Sequence, residues 1–236
     1  KTYGDFRDPD WCGSGTGTGG GLVRLDVSGR ISLAGPITAI GGYDSNSSAS
    51  GGGISIRCGT IFSTTAGKIQ ANAAPKNDWS KAGGGGGRVA ISITAQDATF
   101  DDYTGVIEVV GSANNGKKRK GGNGTIYLRR PGEGLEDGTL IIDVKKDDPS
   151  AGAGICAKTG NITVGNVILR NKGKLNVRKG LTVSVKGDVT NDGTGQILGE
   201  LGDADNEPGG IALVDEERVS HLTGPLDFVK LSCTLP

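Results

Sequence analysis

The stretch Gly83-Gly84-Gly85-Gly86-Gly87-Arg88-Val89-Ala90-Ile91-Ser92-Ile93 decides the reading of this chain. Its five glycines carry no side chains to pack. The residues that follow place Val89, Ile91 and Ile93 at every second position, the period of a strand that buries one face. The same junction recurs. Gly19–Gly21 leads into Leu22-Val23-Arg24-Leu25-Asp26-Val27, Gly51–Gly53 into Ile54-Ser55-Ile56-Arg57-Cys58, and Gly121-Gly122-Asn123-Gly124 into Thr125-Ile126-Tyr127-Leu128-Arg129. A second signature, Gly-x-Ile-x-Ala/Val, begins at Gly35, Gly67 and Gly105, 32 and then 38 residues apart. Repetition at this interval marks an architecture in which one unit cannot close a core and stacked units bury it between them.

Composition agrees with a thin core. Glycine supplies 44 of 236 residues, hydrophobic residues 34% and aromatics 4%. No period of three accompanies the glycine, which excludes a collagen triple helix. The expected fold is all-β: a repeat-derived solenoid, a right-handed parallel β-helix with polar loops at inserts such as Tyr43–Ser50 and Ala73–Ala82. The glycines are expected to supply positive φ at corners and to let neighbouring coils approach closely. From about residue 135 the glycine knots give way to denser strands, among them Leu140–Val144, Ile162–Leu169 and Leu181–Val189, with turn signals at Asn171-Lys172-Gly173 and Asp192-Gly193. Residues 1–134 therefore read as Gly-rich repeat coils and 135–236 as further coils of the same solenoid, with two stacked subdomains as the alternative. No segment reads as a convincing helix.

The order of glycine knot, strand, Gly-x-Ile-x-Ala and Gly-Arg-Val-Ala-Ile resembles the Gly-rich repeats of bacterial secreted and cell-surface proteins. The end of the chain is similar to adhesin-like β-helix coils: Gly209-Gly210-Ile211-Ala212-Leu213, then His221-Leu222-Thr223-Gly224, then Phe228-Val229-Lys230-Leu231. The resemblance covers roughly residues 13–130 and 180–236. It implies display outside the cell, often within a longer polypeptide, and brings no catalytic residues.

The residues that could carry chemistry are few. One histidine, His221, cannot build a metal cluster, and no nucleophile elbow accompanies it. The glycine runs lack the Gly-Lys-Ser/Thr ending of a phosphate-binding loop and lead into strands rather than helices. Carboxylate neighbours such as Asp101 and Asp102 or Glu216 and Glu217 point to opposite faces of a strand and read as solvated loop charge. Arg24, Arg57 and Arg88 each follow a glycine knot and are expected to line one face as a ladder, open to glycan or partner. Lys117-Lys118-Arg119-Lys120 forms a basic loop tip with the same candidate role. Asp203, Asp205 and Glu207 group hard oxygen donors on a loop and make calcium the candidate ion; no other cofactor is expected. Cys12, Cys58, Cys156 and Cys233 form no Cys-x-x-Cys pair and are disulfide candidates of undetermined connectivity. Asn46, Asn123 and Asn161 lie in Asn-x-Ser/Thr sequons.

Net charge is zero, so no global basic surface invites nucleic acid, and no apolar run reaches the roughly 20 residues of a membrane span. The chain begins on Lys1 and contains no methionine, which reads as a processed product or excised segment. Two functions remain. The first is a non-catalytic extracellular scaffold or adhesive module, self-assembling end to end or joined to flanking domains. The second is a carbohydrate-active β-helix that binds or cleaves acidic cell-surface or matrix polysaccharide.

Overall fold

The computed structural model describes residues 4–15, 17–43, 48–75, 83–112, 121–144, 153–155, 161–199, 210–214, 222–223 and 231–233. The protein is all-β, and no helix occurs among the described residues. Seven strands make the first half: β1 (Leu22–Leu33), β2 (Pro36–Thr38), β3 (Gly53–Ser63), β4 (Lys68–Gln70), β5 (Arg88–Ile93), β6 (Val106–Glu108) and β7 (Thr125–Arg129). Alternate strands pair, all parallel, as β1-β3-β5-β7 and β2-β4-β6. The three Gly-x-Ile signatures fall in register, with Ile37 beside Ile69 and Ile69 beside Ile107. Val23, Ile54, Val89 and Ile126 form one aliphatic row, and Leu25, Ile56, Ile91 and Leu128 the next. These rows form one core with Ile69 from the second sheet and with Ala71 and Val109, which follow its strands β4 and β6. Cys58 sits in the row between Val27 and Ile93 and packs as a small apolar residue.

The glycine segments meet one of the two expectations, close approach, and not the other, positive φ. Positive φ occurs at Gly4, Gly15, Gly132, Gly180 and Gly193, none of which lies in a knot. The knots are extended segments that bond to several neighbours at once. Around residues 84–87, Gly86 N–H donates to Gly122 (2.8 Å), Gly87 N–H to Ala71 (2.6 Å) and Arg88 N–H to Gly52 (2.9 Å). The carbonyls of Gly84 and Gly85 accept from Ser112 (2.8 Å) and Gly51 (2.9 Å). Segments bonded on all sides leave no room for Cβ. At Gly87 a Cβ would overlap the Gly52 carbonyl oxygen, and at Gly86 that of Val109. Close approach, not the turn conformation, requires glycine here.

Eleven strands follow: β8 (Thr139–Asp143), β9 (Ala153–Ile155), β10 (Ile162–Val164), β11 (Asn166–Arg170), β12 (Lys174–Val177), β13 (Thr182–Val185), β14 (Val189–Asn191), β15 (Gln196–Gly199), β16 (Gly210–Leu213), β17 (Leu222–Thr223) and β18 (Leu231–Cys233). Every third strand pairs up to β17, and β16 then pairs with β18, all parallel, giving β8-β11-β14-β17, β9-β12-β15 and β10-β13-β16-β18. Leu140, Ile142, Val167, Leu169, Leu175, Val177, Val183, Val185 and Ile211 fill the space between these sheets. At the turns, Asn171 (φ 52°), Lys172 (φ 64°) and Gly193 (φ 90°) take left-handed conformations where the sequence places its turn signals.

The halves meet in one eight-stranded sheet, through the antiparallel pair β7–β8. Ile126, Ile141 and Ile168 point into the first core, whereas Tyr127, Leu140 and Val167 point into the second. The chain thus reverses direction at residues 130–138 and changes the face of the sheet that it covers. Leu140, Ile141 and Ile142 are accordingly all buried, the pattern of a strand packed on both faces.

Candidate functional site

Among the described residues, the second core lies behind β8 and its successors. Behind β1, β3, β5 and β7 lies the N-terminal segment. Phe6 is 3% exposed and meets the Tyr127 ring edge-on at 5.3 Å. Beside this segment a groove of about 300 Å³ remains open, floored by β1, β3, β5 and β7 and walled by Arg7, Asp8 and Leu135.

Sheet register explains which side chains share the groove. Leu22, Gly53, Arg88 and Thr125 form one row across the sheet; Arg24, Ser55, Ala90 and Tyr127 the next; Asp26, Arg57, Ser92 and Arg129 the third. All point to the back face, because side chains two apart along a strand share a face. Arg24, Arg57 and Arg88 therefore do share a face, but each occupies a different row, so they are scattered over it and form no ladder. Arg24 and Arg57 line the groove; Arg88 stands beside Asp5 and Gly4 of the N-terminal segment. Arg7 and Arg129 complete the basic lining. Neither was singled out from sequence. For Arg129 the signal was available: Arg57 and Arg129 align when the alternating Ile and Leu residues, not the glycines, set the register.

Most of these cations are already engaged. Arg24 Nη2 lies 3.0 Å from Asp8, Arg24 Nη1 donates to the Pro9 carbonyl (3.1 Å), and Ser55 Oγ donates to Asp8 (3.0 Å). Arg57 Nη1 is 3.5 Å from Asp26, with side chains 61% and 74% exposed. Arg7 donates to both Asp5 oxygens through Nε and Nη2 and lies 3.7 Å from Glu136. Burial pushes the Asp5 carboxyl upward, but hydrogen bonds from the Arg7 side chain and backbone, with its charge, hold it below the ordinary 3.8. Exposed pairs such as Arg57–Asp26 contribute little to stability. The groove is an arginine-rich surface whose charge is largely balanced from within.

Asp137 fastens the reversal above the groove. It accepts from Lys186 Nζ (2.7 Å) and from Gly134 N–H (2.8 Å), and both bonds lower its pKa. Asp192 is lowered likewise, first by Thr194 and then by the Asn171 N–H. A carboxyl with a folded pKa below its unfolded one adds stability above the unfolded value and loses it as pH falls through the folded value. Asp5, Asp137 and Asp192 share that sign, so thermal melts should hold steady down to about pH 4 and then move to lower temperature. A melt unchanged between pH 7 and pH 2.5 would contradict these assignments.

Other sequence candidates separate. Cys12 is exposed and Cys58 is buried. The two lie apart in environment: Cys58 is enclosed in the first core, where burial raises its pKa. Cys156 lies outside the described residues, and of Cys233 only the strand position is described. Lys117, Lys118, Arg119, Lys120, His221, Asp203, Asp205 and Glu207 lie outside the described residues. Among the described residues, no group of three or more His, Cys, Asp or Glu side chains is arranged to hold a metal ion. Asn123 is 6% exposed and its Oδ1 accepts from Gly111 N–H (3.0 Å), so this sequon is closed to modification in the folded protein. No helix among the described residues is long and apolar enough to cross a membrane. Comparisons of the chain with protein-family models, with curated proteins and with solved structures returned no match.

Proposed function

We propose that this chain is a non-catalytic extracellular structural module, a repeat-derived parallel β-helix that serves as a scaffold or adhesive element and assembles end to end. The observation that supports it most is the recurrence of strands: every second strand in the first half, and every third in the second up to β17, pairs parallel and in register. Parallel strands in one sheet need crossovers, which favour a right-handed path. Reversal of direction combined with a change of face is a half-turn about the stacking axis, so both halves keep the same hand. Likeness to adhesin-like coils supports the extracellular setting. A module of this kind ends in open strands, and stacking on another copy or a flanking domain satisfies them.

Electron microscopy of the purified protein across a calcium series tests this reading. Fibres or sheets with a regular axial repeat are expected, with Asp203, Asp205 and Glu207 as the proposed calcium ligands if order depends on the ion. Dispersed monomers at every calcium concentration would count against assembly.

One observation favours a second reading, the binding of acidic polysaccharide. Arg57 and Arg129 flank Ser92 on one row, two strand spacings or about 10 Å apart. A carboxylated sugar chain laid across β3, β5 and β7 could meet both guanidiniums. Salt-sensitive binding of a polyuronate, weakened about tenfold by Arg129→Ala, would support it. Binding unchanged in that variant would remove the groove from consideration.

A further inference from the structure

Among the described residues, β1 is the end strand of the eight-stranded sheet, with β3 as its one neighbour there. Gly53 N–H donates to the Gly21 carbonyl at 3.1 Å. In a parallel ladder both backbone groups of a residue point to the same side, and the side alternates along the strand. Gly21, Val23, Leu25 and Val27 therefore bond to β3, and Leu22, Arg24 and Asp26 aim their backbone groups at the open edge. Side chains along this edge belong to the first core, yet Val23, Leu25, Val27, Ile31 and Leu33 are half-buried. Their neighbours Ile54, Ile56, Cys58 and Ile61 are at most 1% exposed. A twelve-residue edge strand with a half-covered aliphatic face is a template for pairing.

We propose that this edge pairs with the same edge of a second copy, antiparallel, about a two-fold axis through Leu25. The segment Leu22-Val23-Arg24-Leu25-Asp26-Val27-Ser28 is self-complementary about its centre. Val23 falls opposite Val27 of the second copy and Arg24 opposite Asp26, twice by symmetry. The Arg24–Asp26 pairs use the outward backbone groups, so each exchanges two hydrogen bonds. Leu25 meets itself in a non-bonded pair, with Cα atoms about 4.5 Å apart. A shift of two residues in either direction sets Arg24 against Arg24 or Asp26 against Asp26, so charge fixes the register. The bulge between Val27 and Arg30 ends the pairing on one side. Gly21 and Gly29, which would face each other at its limits, have nothing within 4 Å of a Cβ position. Such a contact is isologous and closes as a dimer, joining the first cores of two copies. It deepens the scaffold reading, on which it rests, by naming the partner of this edge.

Charge exchange and cross-linking test it. In a Cys12→Ser background, Leu25→Cys should form a covalent dimer under mild oxidation, and Ser32→Cys should not. Arg24→Asp and Asp26→Arg should each weaken self-association about tenfold by sedimentation, with unchanged melting temperatures. The double variant should return to within about threefold of the parent, because its pairs are complementary again. Arg24 also holds Asp8 and Asp26 pairs with Arg57, so each single variant gives up one exposed ion pair within its own chain, and recovery in the double variant carries the test. Absence of the Leu25→Cys dimer, or no recovery in the double variant, would overturn the proposal and leave a different surface or an adjoining segment as the occupant. Fibres that persist in Asp26→Arg would then show the scaffold reading standing without this contact; monomers with neither fibres nor cross-link would remove both.

Discussion

Alanine at Gly86 or Gly87 should unfold the first half of the protein, whereas alanine at Gly85, in the same run, should be tolerated. The difference lies in what each new methyl group meets. At Gly86 the Cβ would lie inside the contact distance of the Val109 carbonyl oxygen and beside the Gly124 nitrogen; at Gly87 it would overlap the Gly52 carbonyl oxygen. These are backbone atoms of hydrogen-bonded segments and cannot swing away as a side chain could. Relief requires parting two layers and losing bonds such as Gly87 N–H to Ala71 and Gly124 N–H to Val109. A cost above about 3 kcal/mol is expected for each, the range of severe overpacking with broken hydrogen bonds. At Gly85 the nearest atoms are Gly122 O at 3.6 Å and Ser50 Oγ at 3.9 Å, ordinary contact distances. There alanine narrows the unfolded ensemble and should be neutral or stabilising by up to about 1 kcal/mol. Urea unfolding of the three variants checks the contrast. Equal effects at all three would mean that the glycine run is a flexible spacer and that its layers do not pack as described.

Sequence periodicity carried much of this fold and stopped at identifiable places. The alternation in Val89-Ala90-Ile91-Ser92-Ile93 and the three Gly-x-Ile signatures gave strands that pair in register. The glycines were visible, but between their two expected purposes the sequence could not choose. A run of glycine is compatible with positive φ and with close packing alike, and only the neighbours decide between them. Those neighbours, such as Val109 and Ala71, follow strands 15 or more residues away in the chain. Reversal at residues 130–138 left a trace in Leu140-Ile141-Ile142, three successive apolar residues that a strand with one wet face would not carry. That trace shows burial on both sides and not the antiparallel pairing that causes it. In the groove, Arg24 and Arg57 were legible because parity along a strand is local. Asp8 and Arg7 were not, since the N-terminal segment crosses the sheet through tertiary packing, led by Phe6 against Tyr127.

Tyr127 is where the second core, the reversal and the groove depend on one side chain, and Tyr127→Ala should be among the most damaging single substitutions in the described structure. The residue is fully buried. Its ring closes the end of the second core beside Leu140, receives Phe6 and forms part of the groove floor. Its hydroxyl accepts from Gly138 N–H (3.0 Å) and donates to the Leu135 carbonyl (2.9 Å), so it holds the reversal from both arms. Burial pushes its pKa well above the ordinary tyrosine value, which keeps the hydroxyl protonated and able to donate through the neutral range. Truncation to alanine removes the ring and opens a cavity where strands of opposite direction meet, at about 3–5 kcal/mol. Tyr127→Phe keeps the ring and leaves the buried Gly138 N–H without its acceptor, at about 1–2 kcal/mol. Comparing the two separates packing from hydrogen bonding. If the halves fold as one unit, Tyr127→Ala should shift a single transition seen alike by circular dichroism and tryptophan fluorescence. If it splits unfolding into two steps, the shared sheet joins two units that are separately stable, and the reversal is a hinge rather than a common core.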